Sequence, residues 1–423
     1  MKLEQLDQQV MWHPFTQMAD WEPLVIASGD GNYLVDRSGR RYLDGVSSLW
    51  CNLHGHRHPR LDRALREQMD RIAHTTFLGL THEPAIRLGA ALLEVAPPGL
   101  ARVFYSDSGS TAVEIALKQS FQYWQLRGQP SKQRFLRLGD AYHGDTLGAV
   151  GVGGIDLFHR IFGPLLVQSI AIPTPAGTDG EASLSALEHM LSRRAHEIAA
   201  LVLEPLVQGA AGMLVHPTGF LRRAADLCRR HSVHLIADEV ATGFGRTGTL
   251  FACEQERVSP DFICLAKGIA GGYLPLAATL TTEEVYAAFL GPRGELKQFF
   301  HGHTFTANPL ACAVGLESLA LLREATLPNA RAILPSFTAA LRRIERLPGV
   351  QEVRQCGMMA GIQVEARVGR FAGAEICDRV RSHGVILRPL GDVVVWMPPL
   401  SLQPDDLALL EHATAAAIDE VLR

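Results

Sequence analysis

Two short apolar runs, each ending on a charged side chain, decide the fold of this chain: Val233-His234-Leu235-Ile236-Ala237, followed by Asp238-Glu239, and Phe262-Ile263-Cys264-Leu265-Ala266, followed by Lys267-Gly268. Short, continuous apolar runs are typical of strands buried on both faces of a parallel sheet. Ligands of such sheets lie at the carboxyl ends of the strands. We therefore expect Asp238 and Lys267 to meet at one sheet edge, in a site built around an acid and an amine.

An acid and an amine at one sheet edge match the needs of pyridoxal phosphate. The aldehyde of this cofactor requires a lysine for a Schiff base, and its ring nitrogen requires an acid partner that keeps it protonated. Lys267 and Asp238 are the candidates for these two roles. The alternative, judged from these two residues alone, is that Lys267 begins a solvated turn and Asp238 caps the next element.

A turn that contains Gly109 and Ser110 lies between a predicted strand and a predicted helix that begins at Ala112. Free N–H groups and the positive end of a helix bind phosphate at such turns. The alternative is a capping box formed by Thr111 and Glu114, which would explain the turn without any ligand. The turn is therefore a candidate phosphate site.

The alternation of a buried run and a polar turn recurs at 134–138 and 199–203. The first run leads to Tyr142, which could stack on a planar cofactor or pack as an ordinary loop aromatic. The second ends on Glu204, to which the sequence assigns no role. Together with a crossover helix predicted at 220–231, this pattern indicates an α/β domain with a mostly parallel sheet.

A small α+β domain is predicted from the two ends of the chain. Segment 23–45 alternates β-prone runs with turn signals, which is typical of an antiparallel meander, and similar strand material returns at 393–396. We expect the N-terminal part of the small domain at 1–48, a large cofactor-binding domain at 49–309 and the C-terminal part of the small domain at 310–423.

Composition argues against several classes of function. The 423 residues are 47% hydrophobic and 20% charged with a net charge of -4, so no overall positive field attracts nucleic acid or an anionic membrane. No apolar run reaches membrane-spanning length, and the polar segment 1–10 lacks the apolar core of a signal peptide. Seven cysteines without a Cys-x-x-Cys pair predict thiols in a reducing compartment. We expect a cytoplasmic protein that acts on small molecules.

Two smaller signals have competing interpretations. His54, His56 and His58 alternate before a helix, but no further His or Glu follows at the spacing of metal ligands, so no metal site is predicted. Arg388 follows the apolar segment 385–387, where it would hold a substrate carboxylate in bidentate fashion. The competing interpretation of Arg388 is a surface ion pair.

Together, these motifs resemble the class III aminotransferases of the type I pyridoxal phosphate fold over nearly the whole chain. The strongest match is Leu235-Ile236-Ala237-Asp238-Glu239-Val240-Ala241-Thr242-Gly243-Phe244-Gly245-Arg246-Thr247-Gly248, followed by Lys267-Gly268-Ile269-Ala270-Gly271-Gly272. The resemblance implies that Lys267 and Asp238 are catalytic. The residues that it assigns to the cofactor are Gly109, Ser110, Tyr142, Asp238, Lys267, His303 and Thr304.

The resemblance also implies a homodimer with shared active sites, because His303 and Thr304 match residues that reach the phosphate from the neighbouring subunit. Within the family, the chain looks most like the biotin-pathway branch, which converts 8-amino-7-oxononanoate to 7,8-diaminononanoate. Segment 12–16, Gln208 and Ala241 carry this likeness. The residues that it assigns to the substrate are Phe15, Trp50, Tyr142, Gly302 and Arg388.

The amino donor stays open at this point. Members of the branch that use S-adenosylmethionine have a tyrosine where this chain has Phe15 and a second tryptophan where it has Leu49, and the pattern here is similar to a branch that uses lysine. The nearest alternative function is another class III aminotransferase, acting on ω-amino acids, ornithine or diamines. A distant alternative is a nicotinamide-dependent oxidoreductase, whose Gly-x-Gly-x-x-Gly turn residues 107–111 do not supply.

Overall fold

Strands and helices alternate along most of the chain in the computed structural model, which describes residues 2–366 and 369–423. The predicted N-terminal part of the small domain begins at Met1, which lies outside the described residues. Strands β1 to β17, in chain order, are Ile26–Asp30, Tyr33–Asp36, Arg41–Asp44, Leu100–Ser106, Arg134–Leu138, Ile170–Ile172, Ile198–Leu203, Val207–Gln208, Leu214–Val215, His234–Asp238, Phe262–Leu265, Ala277–Thr282, Val350–Cys356, Met359–Val364, Val385–Ile386, Arg388–Leu390 and Val393–Trp396. Helices α1 to α14 are Leu3–Val10, Ser47–Trp50, Pro59–Met69, Glu83–Val95, Gly109–Leu126, Leu147–Gly151, Asp156–His159, Glu181–Arg194, Phe220–Arg230, Glu283–Ala288, Pro309–Leu321, Leu327–Ile344, Ala372–Ser382 and Pro404–Leu422.

A seven-stranded sheet in the order β4-β12-β11-β10-β7-β5-β6 forms the centre of the molecule. Strand β12 is antiparallel to both of its neighbours, and the remaining pairs are parallel. The two predicted apolar runs are the adjacent strands β10 and β11, and Asp238 lies opposite Cys264 in their register. The predicted α/β class with a mostly parallel sheet is confirmed.

Helices cover both faces of this sheet, which explains why β10 and β11 are buried at every position. Ile236 and Phe262 pack in a cluster with residues of α5, whereas Leu235 and Ile263 pack in the larger core on the opposite face. Alternating side chains of each strand therefore enter two different hydrophobic layers. Such packing holds the carboxyl ends of both strands in fixed positions.

The two ends of the chain meet in a small four-stranded sheet with the order β1-β2-β3-β15. Strands β1, β2 and β3 form the predicted antiparallel meander, and β15 is parallel to β3. The late strand used for the prediction, Val393–Trp396, instead lies in a separate sheet with the order β13-β14-β17-β16. The exact division into domains stays a prediction.

One helix begins earlier than predicted. Helix α5 starts at Gly109, not Ala112, because Ser108 is its N-cap and forms the capping box with Thr111. The predicted capping box of Thr111 and Glu114 is therefore wrong. Among the described residues, no helix combines the length and the apolar character needed to span a membrane.

Candidate active site

A cavity of about 580 Å³ opens at the carboxyl ends of β10 and β11. Its walls come from the end of β4, the turn before α5, the loop after β5 and the segment around α2. The predicted residues that line it are Trp50, Gly109, Ser110, Tyr142, Asp238 and Lys267. Sequence segments far apart in the chain thus converge where the two strand ends were expected to meet.

Asp238, the last residue of β10, is 5% exposed and points at a buried histidine. The Nδ1 atom of His143 lies 2.7 Å from one carboxylate oxygen of Asp238, and the backbone N–H of Val240 donates to the other at 3.1 Å. The Nε2 atom of His143 is buried without a hydrogen-bond partner. His143 was not predicted as a site residue, although it directly follows Tyr142 at the end of the same loop.

Lys267 follows β11 in a left-handed backbone conformation, with φ of 43°. Its Nζ lies 5.4 Å from the centroid of the Trp50 ring. Burial lowers the pKa of the Lys267 amine, while the carboxylates of Asp238 and Glu204 oppose that shift. A larger share of the amine is therefore neutral than for a solvated lysine, as a nucleophile and proton acceptor requires.

Glu204 lies buried in the cavity wall. The sequence alone predicts no role for its carboxyl group. One oxygen accepts the backbone N–H of Tyr142 at 3.1 Å and the other accepts that of Gly209 at 2.8 Å. Burial raises the pKa of Glu204 to about 7. Glu204 therefore fastens the Tyr142 loop to the turn after β8.

The N-terminus of the 18-residue helix α5 forms another wall of the cavity. Side chains would not fit at two glycines here: a Cβ at Gly144 would lie 1.9 Å from Ser110 Oγ, and a Cβ at Gly109 would lie 2.6 Å from a methyl group of Val240. The two glycines leave the space that a phosphate group needs. The backbone N–H groups at the end of the helix supply the positive potential that attracts it.

Aromatic rings connect Tyr142 to the N-terminal segment. The Tyr142 hydroxyl donates to Asp145 at 2.8 Å, and its ring packs edge-on against Phe158 at 6.3 Å. The ring centroids of Phe158 and Phe15 are 5.6 Å apart. The Cζ atom of Arg388 lies 5.6 Å from the centroid of the Phe15 ring. Arg388 forms no ion pair with any other described residue. The surface ion pair that competed with substrate binding is therefore not seen among the residues that the structure describes.

Helix α2 is a single turn with left-handed backbone, and it carries Trp50 into the cavity. Its four residues, Ser47, Ser48, Leu49 and Trp50, have φ of 51°, 48°, 71° and 72°. Each non-glycine residue in this region costs roughly 1–2 kcal/mol relative to right-handed backbone. Lys267, which also lines the cavity, has a positive φ as well, whereas other non-glycine residues with positive φ, such as Phe15 and Arg257, do not line it.

The predicted residues Gly302, His303 and Thr304 lie in the loop before α11 and are not among the residues that line the cavity. His303 Nε2 is 3.9 Å from Asp107 Oδ1 at the rim. The three alternating histidines contact different partners: His54 bonds Thr326 and Ser318, His56 bonds Asp44, and His58 caps α3.

The residues present fit pyridoxal phosphate. Lys267 supplies the amine, and Asp238, which is bonded to His143, supplies the acid for the ring nitrogen. The Nε2 atom of His143 is buried and has no hydrogen-bond partner, so a polar position at this site is left unsatisfied by the protein. The glycine cradle at Gly109 and Gly144 leaves room for the phosphate at the end of α5. Each chemical group of the cofactor thus has a suitable counterpart in this cavity.

Comparisons with known proteins agree with this geometry. The model of the class-III aminotransferases matches residues 16–418. The adenosylmethionine-8-amino-7-oxononanoate aminotransferase of Nitratidesulfovibrio vulgaris is 51% identical, over 99% of this chain and 81% of that protein. The crystal structure of the enzyme of that name from Methanocaldococcus jannaschii is 40% identical, with a TM-score of 0.96 over 99% of each chain.

An amine transaminase from an uncultivated Pseudomonas species, solved in its PLP-bound form, is 36% identical, with a TM-score of 0.92 over 97% of this chain and 99% of that one. The shared architecture confirms the expected type I fold. The nicotinamide alternative is wrong, because the match to the aminotransferase model covers nearly the whole chain. This chain is an aminotransferase and belongs to the class-III aminotransferase family.

Proposed function

We propose that this aminotransferase converts 8-amino-7-oxononanoate to 7,8-diaminononanoate in biotin biosynthesis, with pyridoxal 5′-phosphate as cofactor. The single observation that carries the proposal is the acid and amine pair, Asp238 and Lys267, on adjacent strand ends of a chain 51% identical to an enzyme named for this reaction. When bound, the cofactor supplies the electron sink for the amino transfer.

Lys267 is proposed as the tether of the cofactor and as the base that moves the proton during the reaction. Its lowered pKa, caused by burial, supports the second role because a neutral amine accepts a proton. Asp238 is proposed to hold the proton on the ring nitrogen. Its bond to His143 orients the carboxylate for that contact.

The remaining roles of predicted residues are also part of the proposal. Gly109 and Ser110 bind the phosphate, and Tyr142 covers the ring, which agrees with their positions in the cavity wall. Arg388 binds the carboxylate of the keto substrate, and the absence of an ion pair with other described residues leaves its guanidinium free for a bidentate contact. Phe15 lies against this guanidinium.

Trp50 and Gly302 are proposed to line the path of the substrate. The amino donor is S-adenosylmethionine or lysine. The first is named in the relatives. The second is favoured by Phe15 and Leu49, because members that use S-adenosylmethionine have a phenolic hydroxyl at the first position and an indole at the second.

A homodimer with shared active sites is proposed as the working assembly. Large exposed side chains form an apolar surface near the loop before α11: Leu78 is 77% exposed, Phe300 69% and Phe305 59%. Exposed apolar surface of this kind is typical of protein contacts. His303 and Thr304 lie in the same loop, from which they would reach the phosphate of the second subunit. We also propose the cytoplasm as the location, because all seven cysteines are free thiols.

The test is an amino transfer assay with 8-amino-7-oxononanoate and either S-adenosylmethionine or lysine, in which 7,8-diaminononanoate is measured by mass spectrometry. We expect product with one of the two donors. Lys267→Ala should abolish product and the visible absorbance of the bound cofactor, whereas the surface variant Lys297→Ala should retain both. No product with either donor contradicts the proposed substrates, and turnover by Lys267→Ala contradicts the role of that lysine.

A further inference from the structure

Helix α2 carries three residues of the cavity wall, Ser48, Leu49 and Trp50, in a conformation that four consecutive non-glycine residues rarely adopt. Such a turn persists only where the surrounding structure holds it in place. The contacts that hold it determine where the Trp50 indole lies relative to Lys267.

Asp44, the last residue of β3, contacts Ser48 in this turn. Its side chain is fully buried, and one oxygen accepts the backbone N–H of Ser48 at 2.8 Å. The other oxygen accepts the Ser48 hydroxyl at 2.7 Å and lies 3.0 Å from His56 Nε2. Ser48 is therefore held twice by one carboxylate, within the strained turn itself.

His56 connects this carboxylate to the meander. Its backbone exchanges hydrogen bonds with Gly31 in the turn between β1 and β2, with N···O distances of 2.6 and 3.2 Å. A Cβ at Gly29 would lie 2.8 Å from the His56 side chain, so β1 packs closely against it. The small sheet thus fixes His56, and His56 orients Asp44.

We propose that Asp44 is a positioning residue of the aminotransferase reaction: with Ser48 and His56 it holds the left-handed turn that places Trp50 over Lys267 and Leu49 in the substrate path. The proposal rests on the proposed function for its substrate. Asp44 does not line the cavity, so it acts through the turn residues that do, Ser48, Leu49 and Trp50.

The chain offers a matched control for this carboxylate. Asp36, at the turn between β2 and β3, accepts the backbone N–H of Ser38 at 2.8 Å and its hydroxyl at 2.7 Å, as Asp44 does for Ser48. Asp36 does not line the cavity. Asp44→Ala and Asp36→Ala therefore remove the same kind of contact, one beside the site and one remote from it.

The experiment measures Trp50 exposure and steady-state kinetics of the cofactor-loaded enzyme. Acrylamide quenching of tryptophan fluorescence measures the exposure of Trp50. The contribution of Trp50 is the difference in quenching between each variant and the same variant that also carries Trp50→Phe. We expect Asp44→Ala to increase quenching of Trp50 severalfold and to raise KM for 8-amino-7-oxononanoate by about tenfold with kcat within threefold. Asp36→Ala should leave all three values within twofold.

A second pair of variants tests the proposal if Asp44→Ala does not fold. Ser48→Ala and Ser38→Ala each remove only the hydrogen bond between the serine hydroxyl and the aspartate. Ser48→Ala should change Trp50 quenching and KM in the same direction but less, and Ser38→Ala should change neither. Unchanged Trp50 quenching in both variants of the turn, or equal effects in the Asp36 and Ser38 controls, would overturn the proposal. If the wild type does not use 8-amino-7-oxononanoate, the proposed function fails, while the quenching comparison still tests Asp44.

Discussion

At the scale of single residues, burial determines which side chains of the site are poised for chemistry. The same physical cause lowers the pKa of the Lys267 amine and raises that of the Glu204 carboxyl to about 7, because each charged form loses its hydration. Histidines away from the cavity respond in the same way: burial lowers the pKa of His54 to about 3. Burial therefore shifts the protonation equilibrium of each of these groups towards its neutral form.

Arg388→Ala should separate the two halves of the reaction. Loss of a charged, bidentate hydrogen bond corresponds to about 1.5–3 kcal/mol, so KM for the keto substrate should rise roughly 10- to 100-fold. Single-turnover kinetics of the donor half-reaction should change much less. The control is Arg379→Ala, since Arg379 pairs with Glu420 on the surface. An equal loss in both half-reactions would show that Arg388 does not hold the substrate carboxylate.

His54→Gln should make stability less sensitive to acid. His54 has an ordinary pKa of 6.5 when unfolded and about 3 when folded, because burial disfavours its charged form. The unfolded state therefore binds the proton first, and stability present above pH 6.5 is lost as the pH falls, by about 1.4 kcal/mol per pH unit.

Urea unfolding between pH 7 and pH 5 measures this effect. The glutamine variant should show a shallower decline in unfolding free energy than the wild type. His189→Gln, on the exposed surface of α8, serves as the control and should follow the wild type. Parallel curves for wild type and His54→Gln would contradict the assignment.

At the scale of elements, the site depends on where helices and strands begin and end. The ends of β10 and β11 could be predicted because a buried strand leaves a local sequence pattern, a continuous apolar run followed by a charge. The start of α5 was misplaced because two overlapping capping patterns share Thr111, and Glu114 is instead used by Thr146 and Gly148.

Other features of the site leave no local signal. The left-handed turn α2 contains no glycine, so nothing in its own sequence indicates positive φ, and its anchors lie elsewhere in the chain. The insertion of β12 between β4 and β11 follows from non-local pairing. His143 and Glu204 are likewise identified only when the loops that carry them come together.

Gly144→Ala should weaken binding of the cofactor phosphate. Gly144 has φ of 116°, and its added Cβ would lie 1.9 Å from Ser110 Oγ, so Ser110 has to move. Loss of one good phosphate contact corresponds to about a tenfold rise in the Kd of pyridoxal phosphate. Absorbance titration of the cofactor-free protein measures this Kd.

Gly128→Ala is the control for the cost of a side chain at positive φ. Gly128 has φ of 71° with nothing within 4 Å of the added Cβ. We expect the control to lose some stability but to bind the cofactor like the wild type. Equal Kd values for the two variants would refute the role of the glycine cradle.

At the scale of the whole molecule, one exposed apolar surface, with Leu78, Phe300 and Phe305, adjoins the loop before α11. Phe121 and Phe300 line a second cavity, of about 440 Å³, on the outer side of α5. Leu78 lies close to Gly302 in the same region. This surface adjoins the loop that carries His303 and Thr304, which is why we assign it to the contact between subunits.

Phe300→Arg should dissociate the proposed dimer, because a charge would be buried without a partner at the contact. Sedimentation velocity should show a monomer, and turnover should fall with it if the sites are shared. Phe371→Arg is the control, since Phe371 is similarly exposed, at 78%, and lies directly before α13. A wild type that sediments as a monomer with full activity would contradict the shared site.

The pairing of β15 with β3 has a consequence for how the chain folds during synthesis. Leu43 and Val385 are partners in this sheet, although they lie far apart in the sequence. The first three strands leave the ribosome long before β15 is synthesised, and their sheet gains its fourth strand only then. Contacts of such long sequence separation form slowly. The meander, and with it Asp44 and the turn that it holds, should therefore be among the last parts of the protein to reach their final state, so that the site is completed only after the central sheet has folded.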